Sequence, residues 1–276
     1  MPLAAVELAY DADWELEKDD AEILIRLRGS DVLWQKERLL NVAMEAVPDY
    51  GEAIAWLDCD IIFSNENWSR LTLHQLEKNA IVQPFSQVYD QTSETDTAPR
   101  GPSHRTRTSL AYRVADNAPI SEIGNARLRN EWNCASGLAW AARRDILRQH
   151  GLYDACIVGG GDRAIACAAY GAWETLQQRQ CMNDAQRRFY ESWAAPFHES
   201  VNANVGHVPG VIINLVHGTT TNRNQARRFQ LLEQYDFDPF TDLTLDRQGA
   251  WQWATDKQEM HQFVNQYFQQ RAEDTV

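Results

Sequence analysis

An α/β fold, with an open mixed sheet flanked by helices, is predicted by three observations. Residues 53–57, Ala-Ile-Ala-Trp-Leu, are apolar at every position, the pattern of a strand covered on both faces in a parallel sheet. Between residues 32 and 47 the apolar residues Leu33, Leu39, Leu40, Val42, Ala43, Ala46 and Val47 recur at helical spacing. Residues 208–216 form a second apolar strand, and both strands run straight into residues that carry chemistry.

The remaining elements follow in order. Residues 3–10 read as a strand, and residues 21–27 as another in which apolar and charged positions are mixed. Asp31 is placed to cap the helix at 32–47, which Pro48 ends. A short helix at 67–78 precedes a strand at 80–84. Residues 89–131 are crowded with Thr, Ser, Asp, Arg, Pro and Gly and read as one long loop, a lid or an insertion. A small-residue strand at 135–142 leads into a helix at 143–150 stopped by Gly151. After Gly159, Gly160 and Gly161, Asp162 is placed as the cap of a helix through Tyr170, and a further helix covers 185–193. The expected organisation is one α/β domain over residues 1–230 and a helical extension over 231–276, with Met260, Val264, Tyr267 and Phe268 facing the domain.

Composition narrows the function classes. A chain of 276 residues with 44% apolar content buries enough surface to fold without disulfides, which excludes disorder for most of it. The five cysteines form no C-x-x-C pair, so neither a disulfide framework nor a zinc ribbon is indicated, and a reducing cytoplasm is the expected location. No run approaches the roughly 18 apolar residues of a membrane span, which leaves peripheral association as the only membrane contact to consider. A net charge of −13 without a long basic stripe argues against nucleic acid.

Three clusters carry the chemistry. Asp58 and Asp60 follow the apolar strand at 53–57, and in extended chain they would project to one side about 7 Å apart. Two carboxylates there call for a cation, and a divalent metal answers that need. His217 ends the strand at 208–216 and is followed by Gly218, so a neutral imidazole stands at a second strand end. Oxygen ligands with one imidazole suit Mn²⁺ or Mg²⁺. Asp162, behind three glycines, is either a plain helix cap or a general base on a hydroxyl, its ionisation favoured by the helix start. Lys36 and Arg38 either reach donor phosphates or solvate a helix face. Trp34 and Trp56 read as core, whereas Trp132 beside the long loop is the better surface for stacking a sugar.

Residues 34–43 followed by Trp56-Leu57-Asp58-Cys59-Asp60-Ile61-Ile62-Phe63 resemble the helix and D-x-D strand of metal-dependent GT-A glycosyltransferases, closest to the β-1,4-galactosyltransferase type. Ser136-Gly137, Arg143 to Leu147, Gly151 to Asp154 and Gly159 to Asp162 resemble that family's small-residue strand, helix and G-G-E-D acceptor motif, with Gly161 where the family has glutamate. His217-Gly218, then Asn222 to Asn224 and Arg228-Phe229, is similar to its late metal-binding segment, with Asn214 at a position three residues before the histidine. The likeness covers about residues 30–86 and 133–230. It implies a Rossmann-like nucleotide-diphospho-sugar transferase fold and an inverting transfer from a nucleotide sugar, expected to be a UDP-sugar, to a carbohydrate or glycoconjugate hydroxyl. It further implies Asp60 and His217 as ligands of Mn²⁺ or Mg²⁺, Asp58 as a nucleotide or outer contact of the metal, and Asp162 as the base; the residues themselves add Lys36 on the donor side and Trp132, Gly160 and Gly161 on the acceptor side. The family's sheet also has a nucleoside-binding strand ahead of the one at residues 3–10, so the resemblance implies a truncated start. Two other readings are a non-catalytic GT-A carbohydrate- or nucleotide-binding module and a metal-dependent phosphohydrolase. The second would need a third acidic cluster, which the sequence lacks.

Overall fold

The computed structural model describes residues 1–10, 13–49, 51–91, 106–117, 120, 134–216 and 227–271. Along the chain run β1 (Ala4–Ala9), β2 (Ile23–Arg28), α1 (Lys36–Ala46), β3 (Ala53–Leu57), β4 (Ile61–Phe63), α2 (Trp68–Leu76), β5 (Ile81–Gln83), β6 (Gln87–Asp90), β7 (Thr106–Ser109) and α3 (Leu110–Ala115). There follow β8 (Cys134–Ala135), β9 (Ala139–Arg143), α4 (Arg144–His150), α5 (Gly161–Ala169), α6 (Trp173–Arg179), α7 (Asp184–Val201), β10 (Val205–His207) and β11 (Val211–Asn214). The chain closes with α8 (Arg227–Glu233), α9 (Pro239–Asp242), β12 (Leu243–Leu245), β13 (Trp251–Trp253) and α10 (Gln258–Arg271). The result is a mixed α/β molecule. No helix among the described residues is long and apolar enough to cross a membrane.

Two sheets meet at the site. One has the order β10-β5-β9-β3, the other β4-β11-β6-β7-β8, and two-stranded pairs are formed by β1 with β2 and by β12 with β13. The chain passes from the first sheet to the second at residues 58–60, between β3 and β4. It passes back at residues 136–138, between β8 and β9. These two crossings touch, since Asp58 N donates to the Leu138 carbonyl at 2.8 Å. The expectation of a parallel, doubly covered strand at 53–57 is corrected: β3 ends its sheet and pairs antiparallel with β9, Ala53 opposite Arg143 and Leu57 opposite Ala139. Only Trp56 of the five is fully buried. An apolar run fixes neither the direction of its partner nor the covering of both faces: Leu57 is exposed. Here the partner, β9, is the covered strand, with Ala139 to Ala142 at most 1% exposed.

Several other boundaries differ from the sequence expectation. α1 starts at Lys36, not Val32, because Asp31 is used elsewhere: its Oδ2 accepts from Trp253 N at 2.9 Å. Gln35, at the helix start, exchanges two hydrogen bonds with the Trp251 backbone. The expected loop at 89–131 contains the end of β6, then β7 and α3; Ser109 caps α3 by accepting from Tyr112 N at 3.1 Å, and Leu110 and Ala111 are buried. The small-residue strand is split into β8 and β9 by residues 136–138, where Leu138 has φ 78°. α7 is longer than expected and carries a capping box between Asn183 and Gln186. The C-terminal stretch adds the β12–β13 pair to its helices, and Met260, Val264 and Tyr267 join the main core.

That core is centred on α5. Ala164, Ile165, Ala166, Cys167, Ala168 and Ala169 are all fully buried, and the small side chains admit α6 and α7 at close range. Tyr190 of α7 donates its hydroxyl to the Ala164 carbonyl at 2.7 Å. Each large side chain removed from water here, such as Trp140, Phe197 or Leu176, contributes about 1.5–3 kcal/mol. The rigid position of α5 fixes the residue at its start, Asp162.

Candidate functional site

Three elements deliver three charged side chains to one point. Lys36 opens α1, Asp58 follows β3, and Asp162 lies in the first turn of α5. Lys36 Nζ is 2.9 Å from Asp58 Oδ1 and 2.7 Å from Asp162 Oδ2. The side chains remain 24%, 26% and 23% exposed in the same order, so the cluster is reachable from solvent. Burial by itself would lower the Lys36 pKa, but Asp162 and Asp58 outweigh it and hold the ammonium well above its ordinary value.

Asp162 differs from the sequence expectation in two ways. It is not the helix cap: Gly160 is, in the left-handed region at φ 104°, and no side chain caps the helix. Nor does the helix start set its acidity. Burial raises its pKa above the usual carboxylate range, with Lys36 pulling it down and Asp58 pushing it up.

Two glycines make this packing possible. A Cβ on Gly137 would stand 2.6 Å from Asp162 Oδ2, and one on Gly161 would stand 2.2 Å from the carboxyl carbon of Glu37. On Gly160, a Cβ would meet Gln180 Nε2 at 2.9 Å and Phe229 at 3.1 Å. The room beside Gly160 and Gly161 is therefore filled by the protein's own side chains.

Glu37 had no role in the sequence reading. It is 2% exposed, its Oε2 accepts from Trp34 Nε1 at 2.9 Å, and burial pushes it up to about 7, with Lys36 opposing and Asp162 adding to the rise. Its adjacency to Lys36 was visible, but nothing in the sequence signals that its side chain turns under α5. Trp34 is half-buried, its ring stacked with Phe268 and covered by the Arg271 guanidinium at 4.6 Å. Trp56 is core, as expected.

The other predicted residues fall as follows. Asp60 lies in the turn before β4, and its carbonyl accepts from Leu215 N at 2.8 Å. Leu215 continues β11, which pairs antiparallel with β4, Asn214 opposite Ile61. The Asn214 amide is engaged with Asp90 Oδ1 at 2.9 Å, and Asp90 is also forked by Arg107. His217 and Trp132 lie outside the described residues. Among the described residues, no three His, Cys, Asp or Glu side chains stand close enough to hold a metal ion.

A cavity of about 960 Å³ lies elsewhere, between α1, α4 and α7, lined by Arg38, Asn41, Arg144, His150, Asp154 and Trp193 among others. It contains none of Lys36, Asp58 and Asp162. Arg38 and Asn41 both bind Asp154 there. The charged convergence of Lys36, Asp58 and Asp162 stands apart from it, at the junction of the sheets.

No family model, curated protein or solved structure matches the chain.

Proposed function

We propose that the chain is a GT-A-type glycosyltransferase that moves a sugar from a nucleotide-diphospho-sugar, a UDP-sugar by preference, to a hydroxyl acceptor with inversion. One observation carries the reading: Lys36, Asp58 and Asp162, picked from three separate motifs, converge within hydrogen-bonding distance at the junction of the two sheets. Support also comes from the backbone bond between Leu215 and Asp60, which brings the strand leading toward His217 alongside the D-x-D turn.

In this reading Asp162 accepts the proton of the acceptor hydroxyl, whose oxygen bonds to the anomeric carbon while the bond to the diphosphate breaks and its electron pair leaves with the phosphate. A carboxylate made more basic by burial suits that task. Lys36 holds Asp162 in place and lends positive charge to the donor phosphates beside Asp58. Asp60 and His217, a carboxylate and an imidazole, would be the residues to hold Mn²⁺ or Mg²⁺, a donor pair of the kind such ions accept. When bound, such an ion offsets the charge growing on the departing diphosphate. Trp132 is assigned to the acceptor side, whereas Gly160 and Gly161, closed off by Gln180, Phe229 and Glu37, are not.

A second reading, a non-catalytic GT-A module that binds carbohydrate or nucleotide, is favoured by one feature. Asp162 is already engaged by Lys36, and a base must be released to act. Release of nucleoside diphosphate from UDP-, GDP- and TDP-sugars with Mn²⁺ or Mg²⁺ separates the two. Transfer predicts turnover that falls at least about 100-fold in Asp162→Asn. Donor binding without turnover for any acceptor selects the module, and no donor binding at all removes both.

A further inference from the structure

Glu37 meets the site from beneath α5. Its carboxyl fills the volume that a side chain at position 161 would need, 2.2 Å from the Cβ position at its carbon and 2.3 Å at Oε1. Oε2 is held by Trp34, while Oε1 is buried without a hydrogen-bond partner among the described residues. An ionised carboxyl is costly there and a protonated one much less so, which is why burial pushes Glu37 up to about 7. Charged and titratable groups face this corner from each packed element. Lys36 lies on its own helix and Asp162 in α5. The Cys156 thiol senses Glu37 from the loop before α5. Arg228 of α8 reaches Gly159, and Arg271 of α10 covers Trp34.

We propose that Glu37 is a positioning residue for Asp162: its carboxyl exchanges one proton with solvent and thereby sets how firmly Asp162 holds a proton taken from a hydroxyl. This rests on the assignment of Asp162 as base. The Glu37 carboxyl packs against Gly161, the neighbour of Asp162, so a charge on either group acts on the other, and coupling between two titrating groups is mutual. With Glu37 neutral, Asp58 and Asp162 share one ammonium. With Glu37 ionised, a third negative charge stands near the pair without touching the ammonium, and a proton arriving on Asp162 relieves more repulsion. Transfer therefore speeds up as Glu37 ionises.

The test pairs a carboxyl NMR titration of the full chain, without metal or sugar nucleotide, with the pH profile of nucleoside diphosphate release. In the NMR arm, Glu37 titrates near 7 and moves down by about one unit in Asp162→Asn, where a like charge is gone. In the kinetic arm, kcat/KM rises about tenfold between about pH 6 and 8 in the wild type and stays flat in Glu37→Gln. A Glu37 resonance that titrates in the ordinary carboxylate range, or that ignores Asp162→Asn, overturns the proposal. So does a pH rise that survives unchanged in Glu37→Gln, although the transferase reading would then stand. If no donor is turned over, the transferase reading fails by itself and the positioning role falls with it, while the titration separately decides the coupling. Should Glu37→Gln not fold, the Asp162→Asn shift carries the decision.

Discussion

Lys36 Nζ lies 2.7 Å from Asp162 Oδ2 although 126 positions separate the two residues, and the same ammonium binds Asp58 at 2.9 Å. One cation thus fastens the start of α1 to the end of β3 and the start of α5. It also places a positive charge between two carboxylates, of which Asp162 is raised by burial.

Replacing Lys36 by Met should therefore destabilise the fold at neutral pH by about 3 kcal/mol, because two partly buried carboxylates are left facing each other. The loss should shrink at acid pH, as Asp162, already raised by burial, takes up a proton. Urea unfolding at the two pH values measures both numbers. A variant as stable as the wild type at pH 7 would show that the ammonium is not what holds the junction together.

Gly161→Ala tests the packing under α5. The added methyl collides with the Glu37 carboxyl, and overpacking of this kind costs about 1–3 kcal/mol. Shortening Glu37 to Ala in the same chain removes the obstacle. The double variant should be more stable than the two single losses added together, by about 1 kcal/mol or more. Simple additivity would mean that the collision is relieved by a backbone shift instead.

The legible parts of this molecule are those written as local patterns. β3, β5, α4 and α5 follow from apolar runs and glycine stops, and the aspartates at their ends were selected because polar groups there stand out against apolar neighbours. What was hidden depends on distant partners. β7, Thr-Arg-Thr-Ser, looks like loop because the partner of its Arg107 is Asp90, across the sheet. The β12–β13 pair was missed because its backbone is satisfied by Asp31 and Gln35, far back in the sequence. Glu37 was passed over because a carboxylate in the first turn of a helix ordinarily faces water, and only Gly161 makes room for it to turn inward.

Stability should fall with rising pH in the window that Glu37 controls. Its folded value of about 7 lies above the ordinary 4.5, so the folded state binds the extra proton between the two. The contribution is complete below about pH 4.5 and is lost as pH climbs through about 7. Subtracting the unfolding free energies of Glu37→Gln from those of the wild type isolates it. The difference should decline by about 2–3 kcal/mol across that window and level off above it. Trp34→Phe removes the hydrogen bond that favours the ionised form, so it should move the midpoint to higher pH. A level difference curve would place the Glu37 carboxyl in water.

The metal assignment makes a prediction that does not need catalysis. An ion that binds only the folded chain raises its stability by mass action, about 2.7 kcal/mol at 100 times the dissociation constant. For a domain of this size that corresponds to a rise in Tm of about 5–10 °C. Mn²⁺ should produce such a rise in the wild type, and EDTA should reverse it. Asp60→Ala and His217→Ala should each abolish most of it, because each removes one of the two protein ligands. Lys36→Met separates this site from its neighbour. If the ion sits on Asp60 and His217, the rise survives in Lys36→Met. If Mn²⁺ instead competes with the ammonium for Asp58 and Asp162, the rise grows in Lys36→Met and persists in His217→Ala, and the assignment of Asp60 with His217 falls.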